Sequence, residues 1–258
     1  MPAAPSYVSK IEWAEKHIDD LKAEVAAFNA RTPYEAVVQA HPADPGRSQL
    51  CLRIAEPVSP RILLATGDVV HAARAALDHL ACAAVTSVTP QTAFPIWRKV
   101  GTGPTPADYK ALIGSKLQGA PRAFTDVVAE LQPYEGGGDE QLWALDYLDV
   151  VDKHRLIIQG LASHEQVVLD LAAMLPPIEG MPLPSLRMGL KPADRFPLTD
   201  GYVLFDAPHE VMHKMKPEAV IDLALGEPAF LRGEALVPAV IGLVASARDT
   251  LERLAQAL

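Results

Sequence analysis

The sequence lacks an excess of basic residues: 23 lysines and arginines face 32 acidic residues, a formal net charge of −9. Non-specific binding to nucleic acids or to anionic membranes needs a basic surface, so the overall charge argues against both. No uninterrupted apolar run approaches the roughly 20 residues that a membrane-spanning helix requires. The sequence therefore predicts a protein without a membrane partner.

Cysteine is also scarce, with only Cys51 and Cys82 in 258 residues and no Cys-x-x-Cys spacing. Two isolated cysteines supply neither a zinc knuckle nor a disulfide framework. The first ten residues, MPAAPSYVSK, show no basic segment followed by an apolar one, the pattern of a secretion signal. We therefore expect a soluble protein in the reducing environment of the cytoplasm.

The chain also lacks the sequence motifs of two large enzyme classes. No G-x-S-x-G is present, so the nucleophile elbow of the α/β-hydrolases is not predicted. The triple glycine at 136–138 is not followed by Gly-Lys-Ser/Thr, so it is interpreted as a turn and not as a phosphate-binding loop. We predict no cofactor.

The composition, 49% hydrophobic and 21% charged, is that of a globular protein and excludes wholesale disorder. The periodicity of apolar residues predicts an α+β fold, a buried helical bundle packed with a small, mainly antiparallel sheet. We expect a single domain over 1–258, helix-rich over 1–155 and strand-rich with a closing helix over 156–258. Predicted helices cover 9–29, 60–86, 106–117, 121–131, 139–154 and 234–258, and predicted strands cover 34–40, 49–55, 156–161, 167–171, 202–205 and 220–225. The early hairpin is expected to pair with the later strands.

Two clusters of charge lie inside otherwise apolar helical stretches. The first comprises His71, Arg74, Asp78 and His79, and the second comprises Asp149, Asp152, Lys153, His154 and Arg155. Leaving a charge without a partner in an apolar environment costs several kcal/mol, on the order of a large mutational effect. Either the two segments meet and neutralise each other, or they line a pocket.

The helical spacing indicates how the two charged segments could meet and neutralise each other. Arg74 and Asp78 are one turn apart and can form an ion pair. We predict that the helix containing residues 63–85 packs against residues 139–154, with Arg74 close to one of Asp146, Asp149 or Asp152. In this interpretation the histidines donate to backbone carbonyls. The three aspartates could instead hold a divalent metal. We nevertheless predict that the chain has no metal site.

Residues 94–96, Phe-Pro-Ile, are predicted to plug the helical core as a short extended segment. Pro95 forces Phe94 out of helical geometry, and large apolar side chains flank the proline. A local basic patch follows, formed by Arg98, Lys99, Lys110, Lys116 and Arg122. We interpret it as a solvated surface.

Several short motifs of the chain together resemble a widespread, uncharacterised bacterial family. They are RAALDHL at 74–80, FPI at 94–96, LQPY at 131–134, LW at 142–143 and DKHR at 152–155. The likeness covers approximately residues 60–160, and it implies no particular mechanism.

The spacing Arg74-x4-His79 also resembles the signature of HEPN proteins, helical modules that include metal-independent ribonucleases and nucleotide-binding partners. The resemblance implies that Arg74 steadies a phosphate and that His79 moves the proton of a ribose 2′-hydroxyl, often across a homodimer. His71, Asp78, Asp152, His154 and Arg155 would then contribute to ligand binding. On an unbroken helix Arg74 and His79 are about 140° apart, so their convergence requires a local bend.

Three functions therefore compete. The first is a HEPN-like module that binds or cleaves RNA or a nucleotide without metal. The second is a non-catalytic interaction protein in which the polar clusters are satisfied internally. The third is a zinc-dependent hydrolase at His209, Glu210 and His213, where the sequence HEVMH has the spacing of a zinc-binding H-E-x-x-H motif. Pro208 and Pro217 flank this motif closely, so a surface turn is expected there.

Overall fold

The computed structural model describes residues 4–155, 157, 159–169, 186–188, 197–215 and 218–258. It confirms the predicted α+β class. The chain divides into two compact units: the first consists of Met1–Val25, Pro60–Ile157 and Val237–Leu258, and the second of Ala26–Ser59 and Ile158–Leu236. The prediction of a single domain, helix-rich up to residue 155 and strand-rich after it, stays a prediction. The two compact units do not divide the chain near residue 155, because residues 26–59 group with the later strands.

The first unit is helical. Its helices are α2 (Pro60–Ala84), α3 (Pro106–Lys116), α4 (Arg122–Leu131) and α5 (Glu140–Asp152), with most of α1 (Ser6–Asn29) and α7 (Leu236–Ala255). Apolar residues at helical spacing form the core: Leu77 and Leu80 on α2 and Leu145 and Leu148 on α5 are fully buried. α2 packs against α5, as predicted.

Polar caps define where two of these helices begin. The hydroxyl of Thr105 accepts from the backbone N–H of Asp108, whose carboxylate accepts from Thr105 in return, so α3 begins with a capping box. The carboxylate of Asp139 accepts from the backbone N–H of Leu142 at the start of α5. α5 ends at Asp152, two residues before the predicted end at His154.

In the second unit, β1 (Tyr34–Ala40) and β2 (Arg47–Ile54) form the predicted antiparallel hairpin. In its turn, the carboxylate of Asp44 accepts from the backbone N–H of Gly46 at 2.9 Å. β2 also pairs antiparallel with β5 (Val203–Pro208), so the sheet order is β1-β2-β5. The expectation that the early hairpin pairs with a later strand is confirmed.

A second antiparallel sheet of the same unit has the order β4-β3-β6, with β3 Gln159–Leu169, β4 Leu186–Met188 and β6 Glu218–Leu225. The prediction of two strands over 156–161 and 167–171 is wrong within the described residues. One strand runs through, and the register of its pairing with β6 shifts between Ser163 and Val167. Residues 156, 158 and 170–171 of that prediction lie outside the described residues.

Within the residues that the structure describes, no helix combines the length and the apolar character that crossing a membrane requires.

Candidate functional site

Arg74 is held at the contact between α2 and α5 by three acceptors. Its Nε donates to Asp146 Oδ1 at 2.7 Å, its Nη1 to Asp78 Oδ1 at 2.6 Å and its Nη2 to the backbone carbonyl of Phe94 at 3.2 Å. The residue is only 4% exposed. The prediction that Arg74 lies close to one of the α5 aspartates is therefore confirmed, and Asp146 is the partner.

Asp78 connects Arg74 to the extended segment at residues 94–96. The carboxylate that receives Arg74 also accepts from the backbone N–H of Phe94 at 2.8 Å. Phe94, Pro95 and Ile96 are all buried, which confirms that they plug the helical core. The extended segment is thus fixed through its backbone as well as through its side chains.

The buried carboxylate of Asp146 receives a second arginine that the sequence did not suggest. Arg98 Nε donates to Asp146 Oδ2 at 2.6 Å and Arg98 Nη2 donates to Oδ1 at 2.8 Å, a two-pronged contact along one edge of the guanidinium. Burial alone would raise the pKa of Asp146, but the hydrogen bonds from Arg98 and the charge of Arg74 lower it below the ordinary value. Asp146 is therefore ionised at neutral pH.

The other edge of Arg98 faces away from Asp146. The Arg98 side chain is 61% exposed, and its Nη1 has no hydrogen-bond partner among the residues that the structure describes. A guanidinium fixed along one edge keeps donors on the other edge for a ligand.

The second cluster is organised around Asp149, which is buried. His71 Nδ1 lies 2.9 Å from Asp149 Oδ1, and Lys153 Nζ donates to Asp149 Oδ2 at 2.5 Å. The expectation that the histidines donate to backbone carbonyls is wrong for His71, because the spacing of the two helices brings a carboxylate to it.

Asp152, predicted as a ligand-binding residue, packs against the backbone of α2. A Cβ atom added to Gly67 would lie 2.5 Å from the Asp152 carboxylate, so only glycine allows this approach. Burial, and then the nearby charges of Asp149 and Asp68, raise the pKa of the Asp152 carboxyl above its ordinary value.

Three further residues of the predicted site lie apart from Arg74. α2 is one continuous helix from Pro60 to Ala84, so His79 points about 140° away from Arg74 around the helix axis. His154 and Arg155 follow the end of α5 and are exposed. The local bend that would bring Arg74 and His79 together is not present in α2.

A cavity of 440 Å³ opens beside Arg98. Its lining combines four cationic residues with apolar walls, and it consists of Arg74, Ala93, Phe94, Ile96, Trp97, Arg98, Lys99, Leu112 and Lys116. No aspartate or glutamate is among these lining residues, which all belong to the described part of the first unit. The geometry thus presents positive charge over an apolar floor.

The five residues of the basic patch, which we interpreted as a solvated surface, do not all line the same cavity. Arg98, Lys99 and Lys116 line the cavity, whereas Lys110 lines a different cavity between α3 and α4. Arg122 is exposed and lies 3.5 Å from Asp126. The sequence signal that could have found this site is the position of Trp97, Arg98 and Lys99 immediately after the buried plug.

The motif considered for zinc lies on a short helix, α6 (His209–Met215), and not on the expected surface turn. His209 Nδ1 is 2.9 Å from the hydroxyl of Ser48. Among the residues that the structure describes, no group of three histidine, cysteine or acidic side chains is arranged to hold a metal ion. Within the described part of the chain, the two histidines of the motif therefore have no third protein ligand, whereas catalytic zinc sites have three.

Comparison with known proteins identifies no relative: no protein-family model, no curated protein and no solved structure matches the chain.

Proposed function

We propose that this protein binds the phosphate group of a nucleotide, without a metal ion, in the cavity beside Arg98. One observation carries the proposal: the Arg98 guanidinium is fixed along one edge by the buried Asp146, and the mostly exposed Arg98 side chain lines a cavity with three more cations. Planar, fixed guanidinium groups are suited to phosphate oxygens. The HEPN resemblance independently suggests a nucleotide as the ligand.

The charges around the cavity support binding of an anion of small size. The two aspartates Asp78 and Asp146 are balanced by Arg74 and Arg98, which leaves Lys99 and Lys116 as excess positive charge in the lining. The remaining basic residues of the patch lie elsewhere, so no continuous basic track leads away from the cavity along this patch. A mononucleotide fits this distribution better than a long RNA strand.

The proposal comprises binding and not cleavage. Metal-independent cleavage of RNA needs an acid/base group and a phosphate clamp at the same phosphate. Three acceptors hold the Arg74 guanidinium, and His79 lies on another side of α2. We therefore expect no turnover by this pair of residues.

The proposal includes a cytoplasmic location and a homodimer. The cytoplasmic location is supported by Cys51 and Cys82, which are both free thiols. The homodimer is supported by the HEPN resemblance alone.

The direct test is calorimetric titration of the purified protein with ADP in the absence of metal, using Arg98→Gln and Arg122→Gln as a matched pair. Both variants remove one arginine charge from the same stretch of chain, but only Arg98 lines the cavity. We expect Arg98→Gln to weaken ADP binding at least tenfold and Arg122→Gln to change it less than twofold. Equal effects of the two variants, or no binding by the unmodified protein, would contradict the proposal.

A further inference from the structure

Trp97 gives the cavity a second feature that phosphate binding alone does not use. It lines the cavity directly beside Arg98. Its indole Nε1 donates to the backbone carbonyl of Thr102 at 3.2 Å, and its backbone N–H donates to the carbonyl of Pro133 at 3.1 Å. The first hydrogen bond restrains the indole ring and the second fixes the backbone that carries it, so the ring is held in place before any ligand arrives.

Other apolar residues line the cavity beside Trp97. Phe94 and Ile96 are buried in the plug, so the apolar surface that stays open to the cavity comes from Ala93, Trp97 and Leu112 of α3, which are partly exposed. A ligand that consisted of phosphate alone would leave this surface in contact with water. A ligand with a planar ring attached to its anionic group would cover the surface while its phosphate contacts Arg98.

We propose that Trp97 is the platform for the planar base of the ligand, so that the site selects nucleoside phosphates over other phosphate esters. This inference rests on the proposed function, because it assumes that the phosphate lies at Arg98. Aromatic side chains stack with every base through its flat face. The site is therefore expected to distinguish a nucleotide from a sugar phosphate more strongly than one base from another.

Arg98 and Trp97, which are neighbours in the chain, contribute to affinity in different ways. Arg98 supplies affinity for the anion, which falls with added salt because ionic contacts at an open site are screened. Trp97 supplies affinity for the ring, which depends much less on salt because stacking involves no net charge. The difference in affinity between AMP and ribose 5-phosphate isolates the second contribution, since the two ligands carry the same phosphate and differ at C1′, where AMP has adenine and ribose 5-phosphate has a hydroxyl.

The experiment measures binding of AMP, ribose 5-phosphate and octanoate to the full chain and to the variants Trp97→Leu, Trp97→Phe and Trp13→Phe. For the unmodified protein we expect AMP to bind about five- to a hundredfold more tightly. Trp97→Leu should abolish this preference by weakening the binding of AMP, and Trp97→Phe should restore part of it. Trp13 lies on α1 outside the cavity, so Trp13→Phe should keep the full preference.

The indole fluorescence provides a second readout for the same samples. AMP should quench the emission of the unmodified protein and of Trp13→Phe, and this quenching should be lost in Trp97→Leu. Trp143, the third tryptophan, is buried and is not accessible for stacking.

Each contrary result has a distinct meaning. If the unmodified protein binds AMP and ribose 5-phosphate equally, or if Trp97→Leu keeps the preference, the assignment of Trp97 is overturned while phosphate binding at Arg98 stands. If octanoate binds more tightly than AMP, the cavity takes an aliphatic anion and the nucleotide assignment is overturned. If none of the phosphate ligands binds, both this inference and the proposed function are overturned.

Discussion

Asp146 and Arg98 are joined by two hydrogen bonds, of 2.6 and 2.8 Å, although 48 residues separate them in the sequence. The carboxylate is buried, and the Arg98 side chain is mostly exposed. Asp146 also receives Arg74 from α2, so one carboxylate positions a buried structural arginine and an exposed arginine that is free to bind a ligand. Stability and binding should therefore both depend on Asp146.

Replacement of Asp146 by Asn should destabilise the protein by roughly 3–5 kcal/mol, because it leaves Arg74 buried with only one carboxylate. Denaturant titration measures this change in the free energy of unfolding. Asp126→Asn is the control: Asp126 is exposed and lies 3.5 Å from Arg122, so its loss should cost less than about 0.5 kcal/mol. Equal costs for the two variants would show that the Asp146 contacts do not contribute to stability.

Arg74→Met should be less damaging than Arg74→Ala. Both variants remove the charge and leave Asp146 paired with Arg98, but methionine keeps most of the packing volume on this buried face of α2. The alanine variant should be less stable than the methionine variant by about 2 kcal/mol. Thermal and denaturant unfolding of the two variants provide the comparison, and an alanine variant as stable as the methionine variant would contradict the packing argument.

Phe94→Ala should cost about 3–5 kcal/mol, because the ring is 1% exposed and its removal leaves a cavity under the plug. Val88→Ala is a suitable control, since Val88 is exposed in the preceding segment and its loss should change stability by less than about 0.5 kcal/mol. The prediction fails if the free energy of unfolding of Phe94→Ala matches that of the control.

Asp152→Asn should stabilise the protein at neutral pH. Burial and the charges of Asp149 and Asp68 raise the pKa of Asp152 in the folded state, so the folded protein holds this proton more tightly than the unfolded chain does. Ionisation of Asp152 therefore costs stability as the pH rises through its raised pKa.

Below the ordinary aspartate pKa of about 4, both states are protonated and this cost is absent. The stability of the original protein and of Asp152→Asn should therefore converge at low pH and separate at neutral pH. A constant difference across the pH range would show that the substitution acts through packing against Gly67 and not through charge.

The sequence allowed the contact between α2 and α5 to be predicted because both helices carry charges within apolar faces. An arginine and carboxylates in such positions need each other, which limits the arrangements available. The plug at 94–96 was predictable for a similarly local reason, since Pro95 fixes an extended backbone between two large apolar side chains.

The role of Arg98 could not be predicted, because its partner comes from a distant helix and nothing in the local sequence marks the pairing. Local patterns also misled in the second unit. The polar residues at 164–166 interrupt the apolar pattern, yet β3 runs through them as one strand. Pro208 and Pro217 favour a surface turn, but a proline just before the first residue of a helix leaves the helical hydrogen bonds intact, and α6 begins directly after Pro208.

A crystal structure of the protein with AMP would test the central claim most directly, through the distances from the phosphate oxygens to the Arg98 guanidinium. The account predicts a phosphate oxygen within hydrogen-bond distance of Arg98 Nη1, with both hydrogen bonds between Arg98 and Asp146 retained. A phosphate bound at His79, at the second cluster or on any surface away from the cavity beside Arg98 would contradict it.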